Sequence, residues 1–76
     1  MEQIKAYQST VFFQGSVYDV IMLLQNAEYN LYICPSDGSI PMHYMFSVSS
    51  EENSAEEAMD LGVNNASDYI DDLLSE

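Results

Sequence analysis

Apolar and polar side chains alternate through most of the first fifty residues, and a helical spacing takes over after them. In residues 3–13, Tyr7, Val11 and Phe13 fall on one parity and Ile4, Ala6 and Phe12 on the other. This predicts a strand with apolar groups on both faces, central in a sheet or partly covered. Gln14-Gly15-Ser16 is a turn signal. Residues 17–27 admit two assignments. Ser16 and Asp19 imitate a capping box with aspartate in place of the usual glutamate, and Val17, Val20, Ile21 and Leu24 share one helical face. A helix is the preferred assignment on that ground. Val17, Tyr18, Val20 and Ile21 are also strand-favouring residues, and the turn before them would close a hairpin, so a strand stays open as the alternative.

Tyr29–Cys34 reads as a strand, and Pro35-Ser36-Asp37-Gly38 as a turn in which proline presets one dihedral and glycine supplies a positive one. The cleanest alternation follows: Ile40, Met42, Tyr44, Phe46 and Val48 against Pro41, His43, Met45, Ser47 and Ser49. Pro41 suits a strand end or a sheet edge, and the two strands predict an antiparallel hairpin. Ser54 and Glu57 form a capping box for a short helix over Ala55–Leu61, with Ala58 and Met59 inward and Gly62 as its left-handed stop. Asn65 and Asp68 look like a second cap for a helix over Ala66–Leu74. Its apolar face is Ala66, Tyr69, Ile70, Leu73 and Leu74. Asp68 is well placed near the positive end of that helix, whereas Asp71, Asp72 and Glu76 are increasingly ill placed. The expected fold class is α+β: one domain with a small antiparallel sheet of three or four strands packed against two or three short helices.

Composition sharpens this picture. A single 76-residue domain buries only about 60% of the surface of its unfolded chain, so its core is small. With 47% hydrophobic residues, six tyrosines and three phenylalanines, it nevertheless has enough apolar area to fold. The net charge of -12 exceeds the roughly 2–8 charges that serve solubility in a small domain, and like charges oppose compaction. The charge is uneven. Residues 1–50 carry four acids (Glu2, Asp19, Glu28, Asp37) and Lys5; residues 51–76 carry nine acids and no base. One lysine and no arginine exclude a basic patch for nucleic acid or for an anionic membrane. The missing positive charge must come from a basic protein, a cation or a high-salt medium. Cys34 is the lone cysteine, which precludes an intramolecular disulfide and fits a reducing compartment. No secretory leader pattern is visible, and the apolar run Val20–Leu24 is too short to span a bilayer. The expected location is therefore cytoplasmic.

The acids after residue 50 are the main candidate site: Glu51, Glu52, Glu56, Glu57, Asp60, Asp68, Asp71, Asp72 and Glu76. Asp68, Asp71 and Asp72 are spaced i, i+3 and i+4, with Cβ atoms about 5–6 Å apart on a helix; Glu56, Glu57 and Asp60 repeat the arrangement. Such carboxylates could occupy lysine and arginine side chains that otherwise meet phosphates, although a charge run is commonly just a solvated helix surface. In size, charge and single-domain organisation the chain resembles, as a class, the acidic nucleic-acid-mimic inhibitors of phages and mobile elements, including anti-restriction and anti-CRISPR proteins. That resemblance implies a partner with a basic, nucleic-acid-binding channel, such as a host nuclease, a repair enzyme or a CRISPR complex, reached in the host cytoplasm.

Other chemistry is weaker. Asp60–Asp72 departs from the EF-hand pattern, and Cys34 and His43 are each alone as strong zinc ligands. A Cys34–His43 nucleophile across the hairpin lacks any oxyanion feature, so neither catalysis, a cofactor nor a metal is expected. Tyr18, Tyr29, Tyr32 and Tyr44 exceed what a small core needs, which leaves some of them as candidate contact groups. The alternative function is a protein-interaction adaptor or homodimeric assembly factor that uses a sheet edge or the helix bearing Tyr69, Ile70, Leu73 and Leu74. A halophilic domain with no special site ranks third.

Overall fold

The computed structural model describes residues 4–75. Four strands, β1 (Lys5–Phe13), β2 (Ser16–Gln25), β3 (Glu28–Pro35) and β4 (His43–Ser49), precede one helix, α1 (Ala55–Leu74). The strands form one antiparallel sheet in the order β1-β2-β3-β4, a meander in which each strand pairs with its sequence neighbours. The class is α+β, with four strands and, among the described residues, a single helix where two or three short ones are expected from the sequence.

Residues 17–27, where the sequence favours a helix, form most of β2 instead. Tight turns on both sides decide the matter. Gln14 and Gly15 have φ of 49° and 79°, and Asn26 and Ala27 have φ of 53° and 62°; a two-residue type I′ hairpin requires positive φ at both central positions. The segment is thereby paired along both edges, with Tyr18 opposite Val11 on one side and Pro35 on the other. Asp19 caps nothing: its carboxylate accepts the Ser36 hydroxyl at 3.0 Å. Once extended, the segment sorts by parity. Tyr18, Val20 and Met22 are buried on one face, while Val17, Asp19, Ile21 and Leu23 occupy the other.

The turn after β3 forms as its sequence predicts. The Gly38 N–H donates to the Pro35 carbonyl (3.2 Å), and the Asp37 carboxylate accepts the Ser39 N–H (2.9 Å). The alternation expected over Ile40–Ser49 is corrected in two ways. Ile40, Pro41 and Met42 lie ahead of β4, and parity breaks inside the strand. Leu31 faces Phe46 while Tyr32 faces Tyr44, so Met45 is an extra residue, a β-bulge. Met45 is buried and Phe46 and Val48 pack against the core, whereas Tyr44 is turned outward and 51% exposed.

α1 opens on the expected capping box: Ser54 Oγ accepts the Glu57 N–H (3.1 Å) and the Glu57 carboxylate accepts the Ser54 N–H (3.2 Å). Gly62 does not stop it. A Cβ at position 62 would overlap Leu31 Cδ2 and lie 3.3 Å from Val20 Cγ1, so this glycine brings the helix close onto the sheet. Asn65 is mid-helix rather than a cap, its amide donating to the Leu61 carbonyl (2.7 Å). Ala58, Gly62, Ala66, Ile70 and Leu73 face the sheet, where they meet Tyr18, Val20, Met22, Tyr29, Leu31, Ile33 and Met45. The core is thus one layer thick, enclosed between α1 and one face of the sheet, with the Phe46–Tyr69 (5.9 Å) and Tyr7–Tyr29 (6.3 Å) ring pairs at its margins.

Candidate functional site

The predicted acidic site is carried by α1 and the loop before it. Glu51, Glu52, Glu56, Glu57, Asp60, Asp68, Asp71 and Asp72 are all exposed; Glu76 lies outside the described residues. Because α1 is continuous, its acids share one rigid axis. Glu57, Asp60, Asp68 and Asp71 lie opposite the buried stripe, at the 100° per residue of a regular helix. Glu56 and Asp72 flank this ridge. The same continuity opens a gap. No acid lies between Asp60 and Asp68, about 12 Å of helix axis at 1.5 Å per residue. The structure therefore holds two acidic clusters in line, separated by Leu61, Asn64 and Ser67 on the outward side. Asp68, expected near a positive helix end, lies well into the C-terminal half of α1, and the last turn has no basic residue. Its charge, like those of Asp71 and Asp72, is not rewarded by the helix dipole.

The apolar helix face offered as an alternative contact is already occupied. Ile70 (0% exposed) and Leu73 (4%) are in the core and Tyr69 packs on Phe46, leaving only Leu74 of that face exposed.

A second surface emerges from the strand register: the sheet face turned away from α1. Its positions are Ala6, Gln8, Thr10 and Phe12 on β1; Val17, Asp19, Ile21 and Leu23 on β2; Asn30, Tyr32 and Cys34 on β3; and Tyr44 and Ser47 on β4. None of these belongs to the core, and no element of residues 4–75 lies over them. Gln8, Ile21, Tyr32 and Tyr44 make one row across all four strands. Tyr32 and Tyr44 meet edge to face at 5.6 Å. The Tyr44 hydroxyl pairs with Ser47 Oγ (2.7 Å), which in turn donates to Asn30 Oδ1 (2.6 Å), so the polar groups beside the rings are mutually satisfied. Phe12, 79% exposed, and Val17 pair at one corner. Among the strand positions of this face only Asp19 and, at the hairpin end, Glu28 are acidic. Sequence reasoning offered Tyr18, Tyr29, Tyr32 and Tyr44 as candidate contact groups; Tyr18 and Tyr29 are buried in the core, and the face was not assembled because β2, which supplies four of its thirteen positions, reads first as a helix.

Cys34 and His43 are not brought together. His43 is opposite Ile33, so its side chain and that of Cys34 belong to different faces of the sheet. Burial, and after it the Asp19 carboxylate opposite, push the Cys34 thiol above its ordinary pKa, which leaves it protonated and poorly nucleophilic at neutral pH. Asp37 is held below the usual carboxylate range by the Ser39 N–H, a consequence of the turn. No group of three or more histidine, cysteine or carboxylate side chains is placed to hold a metal among the described residues, and no helix there is long and apolar enough to cross a membrane. The chain matches no protein-family model, no curated protein and no solved structure at a significant level.

Proposed function

We propose that this chain is a non-enzymatic protein-interaction module whose working contact is the uncovered face of its sheet. The observation that supports this best is the placement of Phe12, Val17, Ile21, Leu23, Tyr32 and Tyr44 on one surface that no part of residues 4–75 covers. Apolar patches of a few hundred Å² on small domains are often functional, and a tyrosine such as Tyr44, its hydroxyl already paired with Ser47 Oγ, makes a good anchor at such a contact. The test is photo-crosslinking in the producing cell with p-benzoylphenylalanine at position 21 or 32 on the sheet, and at 64 or 67 on the helix. Adducts to a protein are expected from the sheet positions, surviving about 1 M salt, where exposed ion pairs are screened within about 3 Å. Adducts confined to the helix positions, and lost in salt, would refute it.

That second outcome is what the remaining reading requires, in which the carboxylates of α1 dock on a basic, nucleic-acid-binding surface. It is favoured by the unbroken course of α1, which fixes both acidic clusters on one axis, and by a single lysine against thirteen acids. Charge density counts against it. The six acids from Glu56 to Asp72 extend over about 24 Å of helix axis, on average one per about 4 Å, against one per about 1.7 Å of duplex DNA. The neutral stretch between Asp60 and Asp68 has no counterpart in a phosphate backbone. Salt-sensitive binding that is lost on Asp68→Lys and Asp71→Lys would favour it over the sheet.

A further inference from the structure

We infer that the occupant of the uncovered sheet face is a second copy of this chain, the two sheets packed back to back and the two α1 helices on the outer sides of the pair. This rests on the reading of that face as the contact surface and adds what covers it. Charge distribution selects the face through which two copies can meet. Each copy carries -12, so most ways of joining two copies crowd like charges, and any contact through α1 opposes six acids to six. The sheet face is the exception, with Asp19 and Glu28 its only acids among the described strands. Packed sheets lie about 10 Å apart, and a helix layer adds about 10 Å on each side. The α1 axes would then be about 30 Å apart, more than three times the Debye length of about 8 Å in physiological salt.

The register makes the face self-complementary. A two-fold axis running between β2 and β3, parallel to the strands, lays β2 of one copy over β3 of the other. Ile21 then meets position 32 of the second copy, and Asp19 meets position 34 rather than another Asp19. That is the isologous arrangement in which one patch serves both subunits. Four strands of about eight residues, at about 3.3 Å per residue and 4.8 Å between strands, present roughly 500 Å² per copy. Two copies reach the roughly 1,000 Å² at which specific interfaces begin, so a reversible dimer of about micromolar affinity is expected, near the weak end for interfaces.

The test is sedimentation velocity on the 76-residue chain from about 1 to 500 μM, in about 0.15 M and 1 M salt. The expected result is a shift from the 8.6 kDa monomer to twice that mass with concentration, more complete at high salt. Cys34 should lose reactivity toward a disulfide reagent over the same range, by at least tenfold. Ile21→Glu should abolish the shift with the circular dichroism unchanged, and Phe12→Ser should weaken it; Asn64→Lys on the helix should leave it intact. A monomer at 500 μM overturns the inference. If sheet-position crosslinks to another protein persist in that case, the contact surface stands and only its occupant was wrong. A dimer that survives Ile21→Glu and is broken by Asn64→Lys refutes both.

Discussion

On the helix side of the domain, the outward positions of α1 include Glu57, Asp60, Asn64, Asp68 and Asp71; on the sheet side they include Phe12, Val17, Ile21, Leu23, Tyr32 and Tyr44, with amides, hydroxyls and the single carboxylate of Asp19 between them. Both surfaces back onto the same single core layer. They differ in what holds them in place. The helix acids take nothing from local energetics beyond the first turn, since Asp68, Asp71 and Asp72 sit toward the negative end of α1 with no basic neighbour in the last turn. The sheet residues do contribute locally, through cross-strand pairs such as Ile21 with Tyr32 and the Tyr32–Tyr44 contact, yet they leave apolar area in water. A two-layer fold necessarily has one uncovered sheet face. Strands that wanted only solubility would alternate strictly with polar residues there.

Matched truncations on the two faces of the sheet give the largest effect. Leu31 is fully buried under α1, and Leu31→Ala should cost about 2–5 kcal/mol. Leu23, on the uncovered face one strand away, should cost less than about 1 kcal/mol as Leu23→Ala in dilute protein, in the range of ordinary surface changes. Urea denaturation at about 0.1 μM protein, roughly a tenth of a micromolar Kd, where the dimer is largely dissociated, measures both. Equal losses would mean that the outer face is as well covered as the core, and the contrast between the two faces would collapse.

Gly62 comes next. On helix propensity alone Gly62→Ala should stabilise the chain by about 1 kcal/mol. The added Cβ would instead overlap Leu31 Cδ2, the end of a fully buried side chain, and crowd Val20. Overpacking of that kind costs about 1–3 kcal/mol, so net destabilisation is expected in thermal denaturation. A stabilised variant would show that α1 can lift off the sheet at little cost.

Gly62 also marks where the sequence misleads. A glycine between two amphipathic stretches, followed by Asn65 and Asp68, carries the same local signs whether it ends a helix or lets one pass close to a strand. The difference depends on Val20 and Leu31, distant in sequence. Ser54 and Glu57 were legible because a capping box is local, and so were the turns at Gln14-Gly15 and Pro35–Gly38. β2 was ambiguous because its apolar residues satisfy both periods; the turns on both sides commit it to the sheet, and the second, Asn26-Ala27, is announced by no glycine. With β2 read as a helix, Ile21 and Leu23 could not be joined to Tyr32; the uncovered face depends on strand register, whereas the acids are countable from composition alone. The bulge at Met45 hid the outward aim of Tyr44 in the same way, since a parity count cannot register an inserted residue.

The Asn26-Ala27 turn offers a smaller test. Ala27 holds φ of 62°, a conformation costing an L-residue about 1–2 kcal/mol, and its carbonyl is fixed by the Ser50 N–H (3.0 Å) and hydroxyl (2.9 Å). Ala27→Gly relieves the strain but frees the unfolded backbone, which returns about 0.5–1 kcal/mol. A net gain of about 0.5–1 kcal/mol is expected from denaturation. The change touches both surfaces equally, so it should raise stability without altering dimerisation. If it altered dimerisation, the hairpin end of the sheet would have to be counted as part of the contact.

The smallest effect concerns the charges that local energetics disfavour. Asp71 lies in the last turn of α1, one turn from the Ser75 N–H that its carbonyl accepts at 3.1 Å. Neutralising it as Asp71→Asn removes a like charge from the negative helix end and should stabilise the chain by about 0.3–1 kcal/mol at low ionic strength. The gain should shrink in about 1 M salt, where the Debye length falls to about 3 Å. Glu57→Gln at the opposite end should act in the other direction, since there the charge favours the dipole and the carboxylate holds the Ser54 N–H. The two helix ends thus give opposite signs for the same chemical change. A thermal shift series in both salts reads it directly, with each variant compared at one protein concentration. If Asp71→Asn were neutral at low salt while still weakening a salt-sensitive partner, the carboxylate would have a role that its place on the helix does not explain, and the acidic side would gain ground on the sheet.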